Sequence, residues 1–371
     1  MNKIIYLDAA ATYQKSDAVI NAEMDFLKHN YANAGRGICA RSAAVDDVVA
    51  RARARVAAFM NARTDQIVWT HGATDALNMV ADMIRMSAKT RVGVSDLDHH
   101  SARLPFVQKV IQRAGRVMLC PLDDAKNIDP DNIPVVDVLI VTAMSNVMGV
   151  AQDVAKIIKS ARDKNPNVIT VVDAAQFVVH EKIDVNAWNC DFACWSAHKI
   201  GADTGLGILY VKNPGDFMPV RFGGGMVNRI VDDKPIWNMP PDVFEAGTLP
   251  LTQIAGLIPA IDMIEKNRPD VNLIKFAYDE LLQLPGIKIL TGRDAAMLTF
   301  NIDGMHPIDV GALMGARDVC VRVGNMCASW IWGHMGCVGG VRMSIGGYNT
   351  MDDIKFAIAQ IKDILKNNGN K

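Results

Sequence analysis

Short apolar runs alternate with stretches of helical periodicity between residues 65 and 211. The apolar runs predict strands at residues 66–70, 91–95, 117–121, 136–142, 168–172, 191–195 and 207–211. The periodic stretches predict helices at residues 15–29, 43–61, 76–86, about 100–114 and 153–163. Strands that alternate with helices favour an α/β fold, in which a mostly parallel sheet carries helices on both faces.

The pattern changes after residue 250. It then predicts helices at residues 253–266, 271–282, 308–314 and 351–365, with strands at 287–290, 297–302, 319–322 and 341–345. This order of elements favours a smaller α+β unit. We therefore expect a large domain of residues 16–250 and a small C-terminal domain of residues 251–371. An N-terminal segment of residues 1–15 could pack with the small domain.

Composition narrows the class of protein. Half of the 371 residues are hydrophobic and 21% are charged, which is typical of a soluble globular protein. A net charge of -1 argues against nucleic acid or an anionic membrane as a partner. We find no apolar span or signal peptide, so we expect a cytoplasmic protein. The seven cysteines form no C-x-x-C pair, so neither a zinc site nor a disulfide framework is expected.

Polar residues gather where the predicted strands end. They are Thr74, His99, Asn146, Asp173, Gln176, Ser196, His198 and Lys199. Because ligands in open α/β sheets bind beyond the carboxyl ends of the strands, these residues predict a binding site.

Three features of this set fit pyridoxal 5'-phosphate. The turn Gly72-Ala-Thr74 before a helix can bind the phosphate, although Thr74 could equally be an ordinary helix cap. Asp173 can keep a ring nitrogen protonated, and a half-buried Lys199 can form a Schiff base with the aldehyde. The alternative for Lys199 is an ordinary surface lysine. His99 could stack on the ring or simply begin a helix.

Nine segments in order resemble the class V pyridoxal-phosphate enzymes, which have the aspartate-aminotransferase fold. The segments are Tyr6-Leu-Asp-Ala-Ala-Ala-Thr12, Gly72-Ala-Thr-Asp75, His99-His100, Ser145-Asn-Val-Met-Gly149, Asp173-Ala-Ala-Gln176, Ser196-Ala-His-Lys199, Phe244-Glu-Ala-Gly-Thr248, Arg322-Val-Gly-Asn-Met-Cys327 and Arg342-Met-Ser-Ile-Gly-Gly-Tyr-Asn-Thr350. Within that class the chain resembles the cysteine desulfurases and selenocysteine lyases. The short segment around Cys327 resembles the second group of desulfurases.

The resemblance implies a role for each matching residue of the cofactor site. Lys199 would form the Schiff base and move the substrate protons, Asp173 would pair with the ring nitrogen, and His99 would stack on the ring. Asn146 and Gln176 would lie near the ring hydroxyl or the substrate. The phosphate would be held by Ala73, Thr74, Ser196 and His198, and by Thr248 from the other subunit of a homodimer.

The resemblance also implies the reaction, in which L-cysteine becomes L-alanine. Arg342 would bind the substrate carboxylate, with Asn146 and Arg36 nearby, and Cys327 would take the sulfur as a persulfide. A sulfur-acceptor protein is an expected partner, and iron–sulfur cluster assembly is one pathway that such an enzyme serves.

Departures from the family pattern leave alternatives open. Asn325 and Met326 stand where histidines are usual, and Gly35 stands where a histidine commonly precedes Arg36. The substrate therefore remains open among cysteine, selenocysteine and cysteine sulfinate. The alternative functions are another class V reaction, such as transamination or epimerisation, and a non-catalytic partner in sulfur transfer.

Overall fold

The computed structural model describes residues 4–35 and 37–368, and strands alternate with helices along most of this part of the chain. The strands are β1 (Ile5–Tyr6), β2 (Ile67–Thr70), β3 (Arg91–Val94), β4 (Arg116–Leu119), β5 (Val138–Thr142), β6 (Ile169–Asp173), β7 (Phe192–Ser196), β8 (Gly207–Val211), β9 (Val227–Val231), β10 (Lys234–Trp237), β11 (Ile287–Ile289), β12 (Leu298–Ile302), β13 (Val319–Cys320), β14 (Arg322–Gly324) and β15 (Gly340–Met343). The α-helices are α1 (Asp17–Asp25), α2 (Ala40–Met60), α3 (Ala73–Met83), α4 (His100–Gln112), α5 (Val154–Lys164), α6 (Phe177–His180), α7 (Val185–Trp188), α8 (Leu251–Lys266), α9 (Val271–Leu282), α10 (Pro307–Gly315), α11 (Ile331–Met335) and α12 (Met351–Asn368).

Within residues 4–35 and 37–368, seven strands form the large sheet. Their spatial order is β2-β8-β7-β6-β5-β3-β4, and only β8 runs antiparallel to its neighbours. Every residue of β5, β7 and β8 is buried, because helices cover both faces. The mostly parallel α/β fold predicted from the sequence is therefore confirmed.

Strand β7 shows how the sheet separates two layers of core. Ala193 and Trp195 join the apolar cluster that includes residues of α2, α5 and α8. Phe192 and Cys194 join the cluster on the other face, with residues of α3 and α4. Successive side chains of a strand point to opposite faces, so a continuous apolar run is what a strand covered on both faces requires.

The C-terminal part of the described chain carries a four-stranded antiparallel sheet, in the order β11-β12-β15-β14. Helices α9, α10 and α12 contribute to the apolar cluster beneath it. The N-terminal strand β1 pairs with β13 beside this sheet, and Asp8 forms a bridge to Ser344 just after β15. The N-terminal segment is thus in contact with the small sheet. The division of the chain at residue 250 stays a prediction, and α8 packs against the core of the large sheet.

Two local predictions were wrong. Residues 319–322 were predicted as one strand, but β13 and β14 are separated at Val321. The loop predicted after residue 211 contains the antiparallel hairpin of β9 and β10. The hairpin gave no alternating signal because most of its side chains are exposed on both faces. Among the described helices, none is both long and apolar enough to cross a bilayer.

Candidate active site

A cavity of about 230 Å³ lies at the carboxyl ends of β5, β6 and β7. Its lining residues are Ala10, Ala11, Ala73, Thr74, His99, Ser101, Thr142, Met144, Asn146, Asp173, Ala175, Gln176, Ser196, His198, Lys199, Arg322, Met326, Cys327 and Arg342. Parallel strands place their carboxyl ends at one edge, and this geometry gathers residues that lie far apart in sequence.

Lys199 lies in a 3₁₀ turn directly after β7. Its Nζ donates to the carbonyl oxygens of Ala10 at 2.7 Å and Ala11 at 3.0 Å. Burial, together with the charge of Arg342, lowers the pKa of Lys199 to about 8, against the opposing effect of Asp173. A lysine with this pKa is still mostly charged at pH 7, but its neutral, nucleophilic form is far more populated than in an ordinary lysine.

Asp173 is the last residue of β6 and is buried. Its Oδ1 accepts a 3.0 Å hydrogen bond from the backbone N–H of Ala175. Burial raises the pKa of Asp173, while Ala175 and Lys199 oppose that rise. A cationic partner inside the cavity would keep this carboxyl group ionised.

His99 precedes α4 and also lines the cavity. Its Nδ1 accepts from the backbone N–H of Ser101 at 3.2 Å, so the ring caps the helix. Burial, reinforced by Lys199, lowers the pKa of His99 to about 4. The ring is therefore neutral near pH 7. The helix start considered from the sequence is therefore observed at a residue that also lines the cavity, and its stacking on a cofactor ring stays a prediction.

One end of the cavity is built from the start of α3 and the turn after β7. The Ser196 hydroxyl accepts from the Ala73 N–H at 2.8 Å, while Thr74 Oγ1 lies 2.7 Å from the hydroxyl of Ser101. The Nδ1 of His198 lies 3.2 Å from Thr12 Oγ1, and burial lowers the pKa of His198 to about 4. This end combines hydroxyl groups with a helix N-terminus, which suits a phosphate group.

A close contact between Gly207 and Gly72 shapes this end of the cavity. A Cβ atom on Gly207 of β8 would lie 2.4 Å from the Cα of Gly72, which precedes α3. Gly72 itself has φ +141°, a conformation that L side chains rarely adopt. The close approach of the two glycines brings the start of α3 down to the sheet.

Three buried polar atoms of the cavity residues have no hydrogen-bond partner among the described residues. They are Asn146 Oδ1, Gln176 Oε1 and Arg342 Nε. Each of these side chains uses its other polar atoms in contacts with the protein: Gln176 Nε2 donates to the Ala10 carbonyl at 2.7 Å. Unsatisfied buried polar atoms are costly, so their convergence on one cavity points to a polar ligand.

Arg342 of β15 is almost completely buried, with 2% of its surface exposed. Its Nη2 donates to Asp8 Oδ1 at 2.8 Å, and its Nη1 donates to the Asn146 carbonyl at 2.8 Å. These bonds fix the plane of the guanidinium group and leave the Nε–H without a partner. Since Arg342 lines the cavity, its Nε–H is the guanidinium donor that remains for a ligand carboxylate.

Cys327 is exposed and lines the cavity, between the buried residues Met326 and Ala328. Its φ of +54° is in the left-handed region, as is the φ of Met326. Its carbonyl accepts from the His100 N–H at 2.7 Å, and its own N–H donates to Asn325 Oδ1 at 3.2 Å. The Cys327 thiol thus belongs to a tightly held turn at the mouth of the site.

One predicted site residue is not in the cavity, and another cannot be placed. Thr248 is exposed and lines a separate cavity of about 850 Å³, together with Arg53 and Glu245. Arg36 lies outside the described residues. The other predicted site residues converge on one cavity, although the roles assigned to them stay predictions.

Sequence reasoning missed Asp8 and Arg322. Arg322 lines the cavity, and its side chain has no hydrogen bond or ion pair among the described residues. Asp8 was noted only as part of a motif. A signal for it existed, because a carboxylate inside the apolar run Ile4-Ile-Tyr-Leu-Asp-Ala-Ala-Ala11 requires a buried partner.

A family model described as aminotransferase class-V matches residues 5–356. The chain belongs to the class-V aminotransferase family. A similar curated protein is a cysteine desulfurase of Enterobacter sp. (strain 638), which is 33% identical over 97% of this chain and 93% of its own length.

Two solved structures are similar to this chain. The crystal structure of the cysteine desulfurase CsdA from Escherichia coli superposes with a TM-score of 0.90 at 29% identity, over 98% of this chain and 95% of that one. A variant of C-DES, with glycine covalently linked to its pyridoxal-phosphate cofactor, has a TM-score of 0.83 at 16% identity, over 98% and 97% of the two chains. The second likeness shows the fold alone.

Proposed function

We propose that this protein is a pyridoxal-phosphate-dependent cysteine desulfurase. It would convert L-cysteine to L-alanine and hold the sulfur on Cys327 as a persulfide. The observation that carries the proposal is the convergence of Lys199, Asp173, Arg342 and Cys327 on one cavity at the sheet edge. A lysine for the cofactor, a cation for the substrate and a thiol for the sulfur are the three groups that this reaction needs.

The residues of the cavity fit pyridoxal phosphate. Ala73, Thr74, Ser196 and His198 would hold its phosphate, Asp173 its ring nitrogen, and His99 the face of its ring. The orphaned Oε1 of Gln176 and Oδ1 of Asn146 would gain polar partners. When bound, the cofactor supplies an aldehyde for amino groups and a protonated ring that withdraws electrons.

Lys199 is suited to hold and move protons at its Nζ. Its pKa of about 8 lies near physiological pH, where general acid–base catalysis by an amine is most efficient. In the cofactor-free site, the amine is held by the carbonyls of Ala10 and Ala11. These contacts hold Nζ in the cavity, within electrostatic range of Asp173.

Arg342 would bind the α-carboxylate of the substrate through its free Nε–H edge. Asp8 and the Asn146 carbonyl would hold the guanidinium plane during this contact. Arg322, which has no ion pair among the described residues, adds a second positive charge to the cavity wall. Both cations favour an amino acid as the substrate class.

Cys327 would act as the nucleophile. Its thiolate would attack the substrate sulfur, forming the S–S bond of the persulfide, while the bond from that sulfur to carbon breaks and its electron pair stays with the carbon. Lys199 would deliver the proton that completes alanine. The exposure of Cys327 then leaves the persulfide open to an acceptor.

Further parts of the proposal concern assembly and setting. We propose a homodimer in which Thr248 contacts the phosphate of the partner's cofactor, a sulfur-acceptor protein that meets Cys327, and a cytoplasmic setting. The position of Thr248 on the surface, outside the cavity of its own chain, supports the first part. Iron–sulfur cluster assembly is one use of the sulfur.

A single-turnover reaction with L-cysteine tests the function. Cofactor-loaded wild type should yield alanine and a protein persulfide in equal amounts, and Cys327→Ala should yield no persulfide. Cys39→Ala is the matched control, because Cys39 is the other exposed cysteine. If wild type makes no alanine but changes its cofactor spectrum with another amino acid, the function is a different class V reaction.

A further inference from the structure

The turn that carries Cys327 has a backbone conformation that it cannot keep by itself. Met326 and Cys327 both have φ +54°, and the left-handed conformation is unfavourable for residues with a side chain. Such conformations persist only where surrounding contacts impose them. We define residues 325–330 as the Cys327 loop.

Two hydrogen bonds from outside this loop hold its strained carbonyls. Asn146 Nδ2 donates to the Met326 carbonyl at 2.7 Å, and the backbone N–H of His100 donates to the Cys327 carbonyl at 2.7 Å. The first donor follows β5, and the second is the first residue of α4. The loop is therefore held against the end of the large sheet.

The side chain of His100 holds the other half of the Cys327 loop. Its Nε2 accepts from the Ser329 backbone N–H at 3.4 Å and lies 2.9 Å from the Ser329 hydroxyl. With Nε2 as the acceptor, the hydroxyl also donates to it. The imidazole packs edge-to-face against Trp330, with ring centroids 5.2 Å apart.

Helix α4 is itself braced against this region. The Arg103 guanidinium lies over the Trp330 ring at 4.1 Å and donates to Asp96 Oδ1 at 2.9 Å. Asp96 also lies 2.9 Å from Nε2 of His334, in α11. These contacts lie on both sides of the Cys327 loop, and the contacts of His100 connect them to the loop itself.

We propose that His100 is a positioning residue that directs Cys327 at the substrate sulfur. It does not line the cavity, whereas its neighbour His99 does. Two consecutive residues at the start of α4 would thus have different roles. His99 would face the cofactor, and His100 would hold the loop that carries the Cys327 thiol. This inference rests on the proposed desulfurase function. It adds a residue that acts only in the attack of the Cys327 thiolate on the substrate sulfur.

Comparison of two substrates isolates this role. Sulfur transfer from L-cysteine needs the Cys327 thiolate. L-Cysteine sulfinate does not, because its carbon–sulfur bond can break with the electron pair left on carbon, releasing sulfur dioxide that water converts to sulfite. Both substrates use the same lysine, arginine and cofactor contacts. A displaced Cys327 therefore slows only the first reaction.

His100→Ala, in the cofactor-loaded protein, should lower kcat for L-cysteine about tenfold to a hundredfold, as a misplaced reacting group does. KM for L-cysteine and kcat for cysteine sulfinate should stay within about twofold of wild type on the same reasoning. Ser329→Ala, which removes the hydroxyl partner, should give a smaller loss of the same kind. His100→Gln, which keeps a polar group at the end of the side chain, should restore part of the rate.

The control is His306→Ala, which removes a histidine that likewise accepts from a backbone N–H, at the start of α10. It should leave both kcat values unchanged. Equal losses on both substrates in His100→Ala, or no loss on either, would overturn the inference. A wild type inactive on L-cysteine would instead overturn the proposed function.

Hydrogen exchange supplies a readout independent of turnover. In His100→Ala, the amides of residues 327–330 should exchange faster, while those in the middle of α4 keep their protection. If cysteine sulfinate is not a substrate of wild type, this measurement decides. Unchanged exchange in the loop would then refute the positioning role, and faster exchange there would support it.

Discussion

The ion pair between Asp8 and Arg342 is the contact on which the substrate side of the cavity depends most. Its atoms lie 2.8 Å apart, and the two side chains are 13% and 2% exposed. We consider the substitution Asp8→Asn, which keeps the size and one acceptor oxygen of the side chain but removes its charge. Arg342 cannot lose its own proton, so its buried charge would remain without a counterion.

The magnitude follows from the burial of this pair. Two unit charges about 4 Å apart attract each other by about 4 kcal/mol at an effective dielectric constant near 20. Removal of one partner of a buried pair costs about 3–5 kcal/mol. Since the asparagine oxygen can keep a hydrogen bond worth about 1 kcal/mol, we expect a loss of about 3 kcal/mol in the free energy of unfolding.

Urea unfolding of the cofactor-free protein would measure this loss, provided that the slope m is unchanged. Asp25→Asn is the control: Asp25 pairs with His29 at the surface, where both side chains are about two-thirds exposed, and it should change stability by less than about 1 kcal/mol. A second readout comes from Lys199, whose pKa the Asp8 carboxylate raises. That pKa should fall in Asp8→Asn. A stability loss no larger than that of the control, with an unmoved Lys199 titration, would refute the reasoning.

Two further predictions concern the cofactor lysine and the glycine contact. Because the pKa of Lys199 is lowered to about 8, its amine is mostly charged at pH 7 and mostly neutral at pH 9. When the cofactor-free protein is mixed with pyridoxal phosphate in a stopped-flow instrument, the rate of reaction should rise with pH and level off above about pH 9. An inflection of this rate near the ordinary lysine pKa of 10.5 would contradict the burial argument. Gly207→Ala should lower the urea midpoint by the equivalent of about 3 kcal/mol, because its Cβ would lie 2.4 Å from backbone of Gly72, whereas Gly215→Ala, with no atom within 4 Å of its Cβ, should be nearly neutral.

The sheet and its polar edge could be predicted because local patterns encode them. Strands β5, β6 and β7 are continuous apolar runs, and a polar residue follows or ends each one. An apolar run of this kind indicates that the strand is covered on two faces, and the polar residue indicates where the strand ends. The fold class then places all such ends at one edge, so Asp173 and Lys199 could be expected to meet before any coordinates were known.

Contacts between distant segments left no such signal. Asp8 and Arg342 are separated by 334 residues, and Asn146 reaches Met326 across 180. Neither pair forms part of a periodic pattern, so only the folded chain shows which partner each group has. Motif resemblance marked the positions of all four residues. It could not reveal that Arg342 is already engaged by a carboxylate, because a motif records residue types and not hydrogen bonds.

The departures from the family pattern become intelligible through the same contacts. Asn325 and Met326 stand where histidines are usual, yet Met326 contributes its carbonyl to Asn146, while Asn325 offers its side-chain oxygen to the Cys327 N–H and its carbonyl to Trp332. The hydrogen bonds from Asn146 and Trp332 are accepted by backbone carbonyls of the loop, which any residue able to adopt the turn can supply. Asparagine is among the residues that favour such local hydrogen bonds. The geometry of the Cys327 loop can therefore be kept while these side chains change, provided that the groups which grip it from outside, Asn146 and His100, remain.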